Sequence, residues 1–222
     1  MEKHTSICYN IKYDFMPRKE GSVVDSEIQK PKEEKVPLEK AVTLYLHDIV
    51  HLLCILLLSL LLLFRVVVVS GTSMNMTLLD GDYLLLLSNT FYHEPKQGDI
   101  IVVSKDSFDN GAAFVKRVIA TEGQTVDIDF DRGIVYVDGV ALEEDYINNL
   151  TTTSGGVYFP LVVKEGCVFA LGDNRGISKD SRYPDIGQID NREILGKAIF
   201  LLMPGTNNST QQLDFSRIGV MK

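Results

Sequence analysis

The feature that most constrains this chain is a stretch of lipid-like sequence near its first quarter. Residues 49–64 hold no Asp, Glu, Lys or Arg, and from residue 41 to residue 79 only Asp48 and Arg65 are formally charged. A helix of these 16 residues is about 24 Å long at about 1.5 Å per residue, short of the roughly 30 Å hydrocarbon core of a bilayer. Starting at Leu44 closes the gap, so the expected span is residues 44–65, with His47, Asp48 and His51 near the headgroups. Leucine on every side leaves no polar stripe for water, which argues against a buried helix of a soluble core. A cleaved secretory signal fits poorly, because the run lies beyond residue 40 and no small-x-small site follows it closely.

The charges on either side set an orientation. Residues 1–40 carry eight basic and eight acidic residues, whereas residues 66–222 carry 13 basic and 21 acidic ones, so the whole net charge of −8 belongs to the C-terminal part. Lys30, Lys32, Lys35 and Lys40 flank the run on one side and Arg65 alone on the other. The positive-inside bias then places residues 1–40 in the cytoplasm as a flexible tail and residues 66–222 outside, in a single-pass protein of the cell membrane. An acidic outer domain excludes nucleic acid as a partner. Cys8, Cys54 and Cys167 are too few and too scattered for a disulfide framework.

Beyond residue 64 the pattern changes to short strands. Residues 66–69 are a β-branched run, and residues 83–87 and 100–103 are short apolar runs bounded by Gly and Asp. Residues 125–130 alternate, with Val126, Ile128 and Phe130 on one face. Residues 134–137, 168–171 and 199–203 complete the set, with Asp131-Arg132-Gly133 and Asp138-Gly139 as turns. Apart from a short helix near residues 190–195, no amphipathic helix is expected. The fold class read from this pattern is mainly β: an antiparallel sheet or barrel-like domain behind one N-terminal transmembrane helix.

The outer domain offers few groups that can do chemistry. His93 is its single histidine, without a partner at metal-ligand spacing, so neither a metal nor another cofactor is expected. A Ser-His-Asp triad finds no local support, and Cys167 has no second His to activate it. A hydroxyl activated by lysine remains.

Four boxes in order carry a resemblance. Gly71-Thr72-Ser73-Met74-Asn75-Met76-Thr77-Leu78, followed by Gly81-Asp82, resembles the G-x-S-M-x-P-T-L-x-x-G-D nucleophile box of bacterial type I signal peptidases, in their compact, Gram-positive-like branch. Residues 98–102 resemble the next strand of that family, and Phe114-Val115-Lys116-Arg117-Val118-Ile119 its general-base box. Residues 172–182 resemble the G-D-N-R-x-x-S-x-D-S-R box, with Ile194-Leu195-Gly196-Lys197 trailing it. The resemblance implies a membrane-anchored serine endopeptidase that cleaves signal peptides from exported preproteins through an acyl-enzyme. It further implies a preference for small residues at the third and first positions before the cut.

Carried over position by position, the resemblance makes Ser73 the nucleophile and Lys116 the general base. Gly71 stands where other branches have an oxyanion-hole hydroxyl, which leaves the hole to the Ser73 backbone N–H. Ser178 is expected to hydrogen-bond and orient the base amine, Asp180 and Arg182 to form an ion pair holding the box near the base, and Asp173 and Arg175 to be structural. Lysine acts as a base only when neutral, and lowering its pKa from about 10.4 to about 8 takes roughly 3 kcal/mol, a shift that apolar burial supplies. Met76 departs from the family's proline; Met74 and Met76 together are expected to add apolar surface facing lipid. The other readings that fit are a catalytically silent, membrane-tethered binding module of the same fold and a Ser/Lys autoprotease; the anchor and the lack of a DNA-binding segment speak against the latter.

Overall fold

The structure, a computed structural model, describes residues 37–206 and 212–221. The proposed cytoplasmic tail lies outside these residues except for its last four. A helix, α1 (Leu38–Leu63, 26 residues), begins earlier and ends sooner than the expected 44–65 span. It is apolar and long enough to cross a bilayer. Its end is set by the sequence: Phe64 and Arg65 precede four valines, whose branched side chains favour a strand over a helix. They form β1 (Phe64–Val68) instead of a last helical turn.

Eleven further strands follow in chain order: β2 (Tyr83–Ser88), β3 (Ile100–Ser104), β4 (Ala113–Thr121), β5 (Thr125–Asp129), β6 (Ile134–Val137), β7 (Val140–Ala141), β8 (Leu161–Val162), β9 (Cys167–Leu171), β10 (Ile189–Asp190), β11 (Ile194–Met203) and β12 (Gly219–Val220). The larger sheet runs β1-β2-β11-β3-β4-β9-β10, with β12 paired to β11 where β3 ends. All its pairings are antiparallel. The smaller sheet runs β7-β6-β5-β8. The large sheet has two free ends, β1 and β10, so the expected antiparallel sheet is present and the barrel-like closure is not. The Asp138-Gly139 turn joins β6 to β7 with both residues at positive φ, as a two-residue hairpin of that sequence requires. The short helix expected near residues 190–195 is a single 3-10 turn, Asn191–Glu193.

Strand period explains the core. Along β3, Ile100 and Val102 enter one apolar cluster with Val69, Met74, Leu78, Leu84 and Leu86, while Ile101 and Val103 enter another with Phe114, Val118, Ile186 and Ile194. A strand buried on both faces reads as a continuous apolar run, and Ile-Ile-Val-Val does. The smaller sheet closes a third cluster, in which Val126, Ile128, Val135 and Val137 meet Ile119, Phe169 and Leu171.

Candidate active site

Two segments meet at the first cluster. The turn of residues 71–82 follows β1, and β4 brings Lys116 to it. Lys116 Nζ donates to Ser73 Oγ at 2.9 Å and to the Val115 carbonyl at 2.9 Å. The Lys116 residue is only 3% exposed and lies 5.4 Å from the centroid of the Phe114 ring. Burial lowers its pKa to about 8; nearby Asp180 and Asp173 partly oppose this, and Arg182 adds to it. An amine so placed exchanges protons near neutral pH, and the nearest hydroxyl is that of Ser73.

The turn itself is closely tied. Gly71, at φ +91°, takes a left-handed conformation that a side chain disfavours, and donates its N–H to Asp80 at 2.7 Å. Ser73 carbonyl oxygen accepts from the Asn174 N–H at 3.0 Å, and Asn174 Nδ2 donates to the Thr72 carbonyl at 3.1 Å. Gly172 is obligatory for a different reason: a Cβ there would meet Ser178 Oγ at 2.2 Å and Ser73 oxygen at 2.5 Å. The backbone N–H of Ser73 donates to no described group. A narrow cleft opens beside Ser73, lined by Val67, Val69, Met74, Val102, Ala113 and Val115 among others.

The 172–182 box comes together as an ionic frame. Asp180 and Arg182 do pair, fully buried, at 2.9 and 3.0 Å. Arg182 also donates to the carbonyls of Arg175 (2.8 Å) and Ser178 (3.2 Å), and Asp180 accepts from Gly172 N–H at 3.1 Å. Asp173 pairs with Arg117 at 2.7 and 2.9 Å and accepts from the Thr77 hydroxyl. Arg175 pairs with Glu144, while the Tyr146 ring lies 4.0 Å from the Arg117 guanidinium.

Two expectations differ from what the residues do. Ser178 is buried, yet among the described residues its hydroxyl has no hydrogen-bond partner and makes no bond to Lys116. Met74 is 1% exposed and belongs to the core, so only Met76, 68% exposed, adds apolar surface. Arg117, Thr77, Glu144, Tyr146 and Asn174 were not singled out from sequence. Thr77, Arg117 and Asn174 sit inside the recognised boxes, which was the available signal; Glu144 and Tyr146 lie in a polar loop of the smaller sheet that shows none.

Comparison with known proteins identifies the family. The family model "Signal peptidase, peptidase S26" matches residues 42–203. A probable signal peptidase I-1 of Synechocystis sp. (strain ATCC 27184 / PCC 6803 / Kazusa) is 39% identical over 166 residues, which is 70% of this chain and 81% of that protein. The signal peptidase I of Bacillus amyloliquefaciens is 31% identical over 189 residues, covering 81% of this chain and 95% of that one. A crystal structure of a signal peptidase I from Enterococcus faecalis V583, 33% identical, covers 47% of this chain and 96% of its own, with a TM-score of 0.38. The chain therefore belongs to the signal peptidase family, peptidase S26, within its type I group of serine endopeptidases.

Proposed function

We propose that this chain is anchored by α1 with its N-terminus in the cytoplasm and removes signal peptides from exported preproteins at the outer membrane surface, using Ser73 as nucleophile and Lys116 as base. The observation that carries the reading is the 2.9 Å contact between a buried amine and a half-buried hydroxyl. In the neutral state the polarity of that contact reverses, so that Ser73 donates to the Nζ lone pair. As Oγ attacks the scissile carbonyl carbon, its proton passes to Nζ, and the Ser73 N–H faces the developing oxyanion. The C–N bond then breaks, with the Lys116 ammonium returning the proton to the departing amine. Water, deprotonated by Lys116, attacks the acyl ester; the C–O bond breaks and Ser73 regains its hydrogen.

The cleft suggests how substrate is held. Among the described residues β1 pairs only with β2, and residues 113–116 of β4 pair only with β3, so both lining strands keep an open edge there. An extended peptide adds to such edges through its backbone. The walls of Val, Met and Ala leave little depth, which favours small side chains at the first and third positions before the cut. Because β1 starts at Phe64, directly after α1, Ser73 stays near the lipid surface, where a preprotein's own apolar segment ends. Shared anchoring in the bilayer then supplies effective concentration.

Ser73→Ala and Lys116→Ala, assayed on a preprotein in detergent, are expected to lose cleavage by about 10⁴-fold or more. Wild-type kcat/KM is expected to rise with pH through about 8, as Lys116 loses its proton. Full activity in either variant would overturn the assignment.

A further inference from the structure

The family model's match ends at residue 203, and a residue beyond that point reaches the turn that carries Ser73. Arg217 closes a 3-10 turn (Phe215–Arg217), capped by Asp214, whose carboxylate accepts from the Ser216 N–H at 3.0 Å. β12 then pairs Val220 with Phe200 and Gly219 with Leu201, which fastens the segment to β11. From this place the Arg217 guanidinium forks onto Asp82, with Nη1 to Oδ1 at 2.9 Å and Nη2 to Oδ2 at 2.6 Å. Nη2 also donates to the Thr77 carbonyl at 3.2 Å.

Asp82 is fully buried and joins three segments. Besides Arg217, it accepts from the N–H of Leu79 at 2.7 Å, within the turn, and from the N–H of Gly205 at 2.7 Å, after β11. The Asp82 carbonyl accepts from Val69 N–H at 2.8 Å, at the end of the strand that leads to Ser73. Thr77 is held on its other side, where its hydroxyl bonds Asp173 and receives Arg117 Nη2 at 3.3 Å. One end of the turn is thus pinned by the 172–182 box and the other by the C-terminal segment. A planar guanidinium serves a carboxylate with two parallel bonds and a carbonyl with a spare N–H; an ammonium cannot reproduce that geometry.

We infer that Arg217 is a positioning residue for the reaction: it locks residues 77–82 so that Ser73 Oγ stays within reach of Lys116 Nζ. The inference rests on the reading of Ser73 as nucleophile. Arg217 touches neither reacting group, so its loss should lower kcat and leave both the base and the substrate cleft as they are.

The test uses the full-length protein in detergent with a preprotein substrate. Arg217→Ala is expected to lower kcat by about 10- to 100-fold, the scale of a displacement near 1 Å, with KM within about twofold and the midpoint of the pH profile unmoved. Arg217→Lys keeps a cation beside Asp82 and is the variant to rely on if the alanine form does not fold. It should lose less than the alanine form but still several-fold. A second arm works in the inactive Ser73→Ala background: hydrogen exchange at the Leu78 and Gly81 amides should speed up by about tenfold or more on adding Arg217→Lys, with β3 and β9 unchanged. Unaltered exchange there, an unaltered kcat, a loss confined to KM or a shifted pH midpoint would each overturn the inference. An inert wild type with the exchange effect present would count against the catalytic reading of Ser73 alone.

Discussion

Two lysines stand in one row of the large sheet and are used in opposite ways. Lys116 on β4 is in register with Ile101 on β3, and Ile101 with Lys197 on β11. Lys197 Nζ lies 2.5 Å from Asp99, which also accepts from the Tyr92 hydroxyl at 2.7 Å and the Lys96 N–H at 3.0 Å. Lys116 has a hydroxyl and a carbonyl for neighbours, and no described ion pair includes it. Lys197 is one half of an ion pair that ties β11 to the start of β3. Lys116 is buried with no carboxylate in hydrogen-bond reach, which is the setting that the proposed base role needs. Burial alone does not make a base; burial beside an uncharged partner does.

The comparison breaks most easily through stability. Burial holds the Lys116 pKa near 8 against 10.5 for the free side chain, so between those values the unfolded chain binds a proton that the folded chain does not. Stability therefore rises with pH across this window, and below about pH 8 the folded state bears the full penalty, about 3 kcal/mol at about 1.36 kcal/mol per pKa unit. Lys116→Met removes it. The variant should be more stable than wild type by about 3 kcal/mol near pH 7, with the gap shrinking toward zero above about pH 10.5. Denaturant unfolding of both proteins across that range measures the gap. A difference that does not change with pH would mean that Lys116 is not desolvated.

Lys197→Met is the opposite case and the smaller effect. It strands the Asp99 carboxylate, which is mostly buried, while the ammonium it removes is about a third exposed and partly screened. A loss of about 1–2 kcal/mol is expected, with kcat within about threefold and the pH midpoint of activity unchanged. A collapse of kcat in a protein of undiminished stability would put Lys197 in the reaction and end the contrast.

Sequence made the strands legible where burial is two-sided or strictly alternating: β3, β5 and β6 lie within a residue or so of their expected limits. It also singled out two residues that the fold brings together, Ser73 and Lys116, because ordered boxes encode which segments meet. What it did not supply were partners chosen by three-dimensional packing. Asp173 and Arg175 are two apart in one box, yet they turn to Arg117 and Glu144 respectively, on different elements. Nothing in local spacing distinguishes those choices. Likewise Met74 and Met76 look alike in sequence, but the turn sends the first into the core and leaves the second in solvent. The helix start at Leu38 was missed because Glu39 and Lys40 read as tail, although charged residues are good helix formers at a helix end.

Met76 offers the finest probe of what separates the two lysines, since only Lys116 is met by a turn. Where the family pattern has proline, this chain has methionine at φ +85°, beside two bonds to the Met74 carbonyl from Thr77 N–H (3.1 Å) and Leu78 N–H (2.8 Å). Proline is locked near φ −65° and cannot take that place. Restoring the family residue in Met76→Pro should therefore weaken the turn rather than repair it, lowering kcat together with the melting temperature. Met76→Gly goes the other way. It relieves a left-handed side chain, a strain of about 1 kcal/mol, but adds backbone freedom to the unfolded chain, so a net gain of at most about 0.5–1 kcal/mol is expected, with kcat unchanged. Equilibrium unfolding and steady-state rates on the two variants decide it: a proline variant as active and as stable as wild type would show that residues 71–78 meet Lys116 through a different turn from the one described.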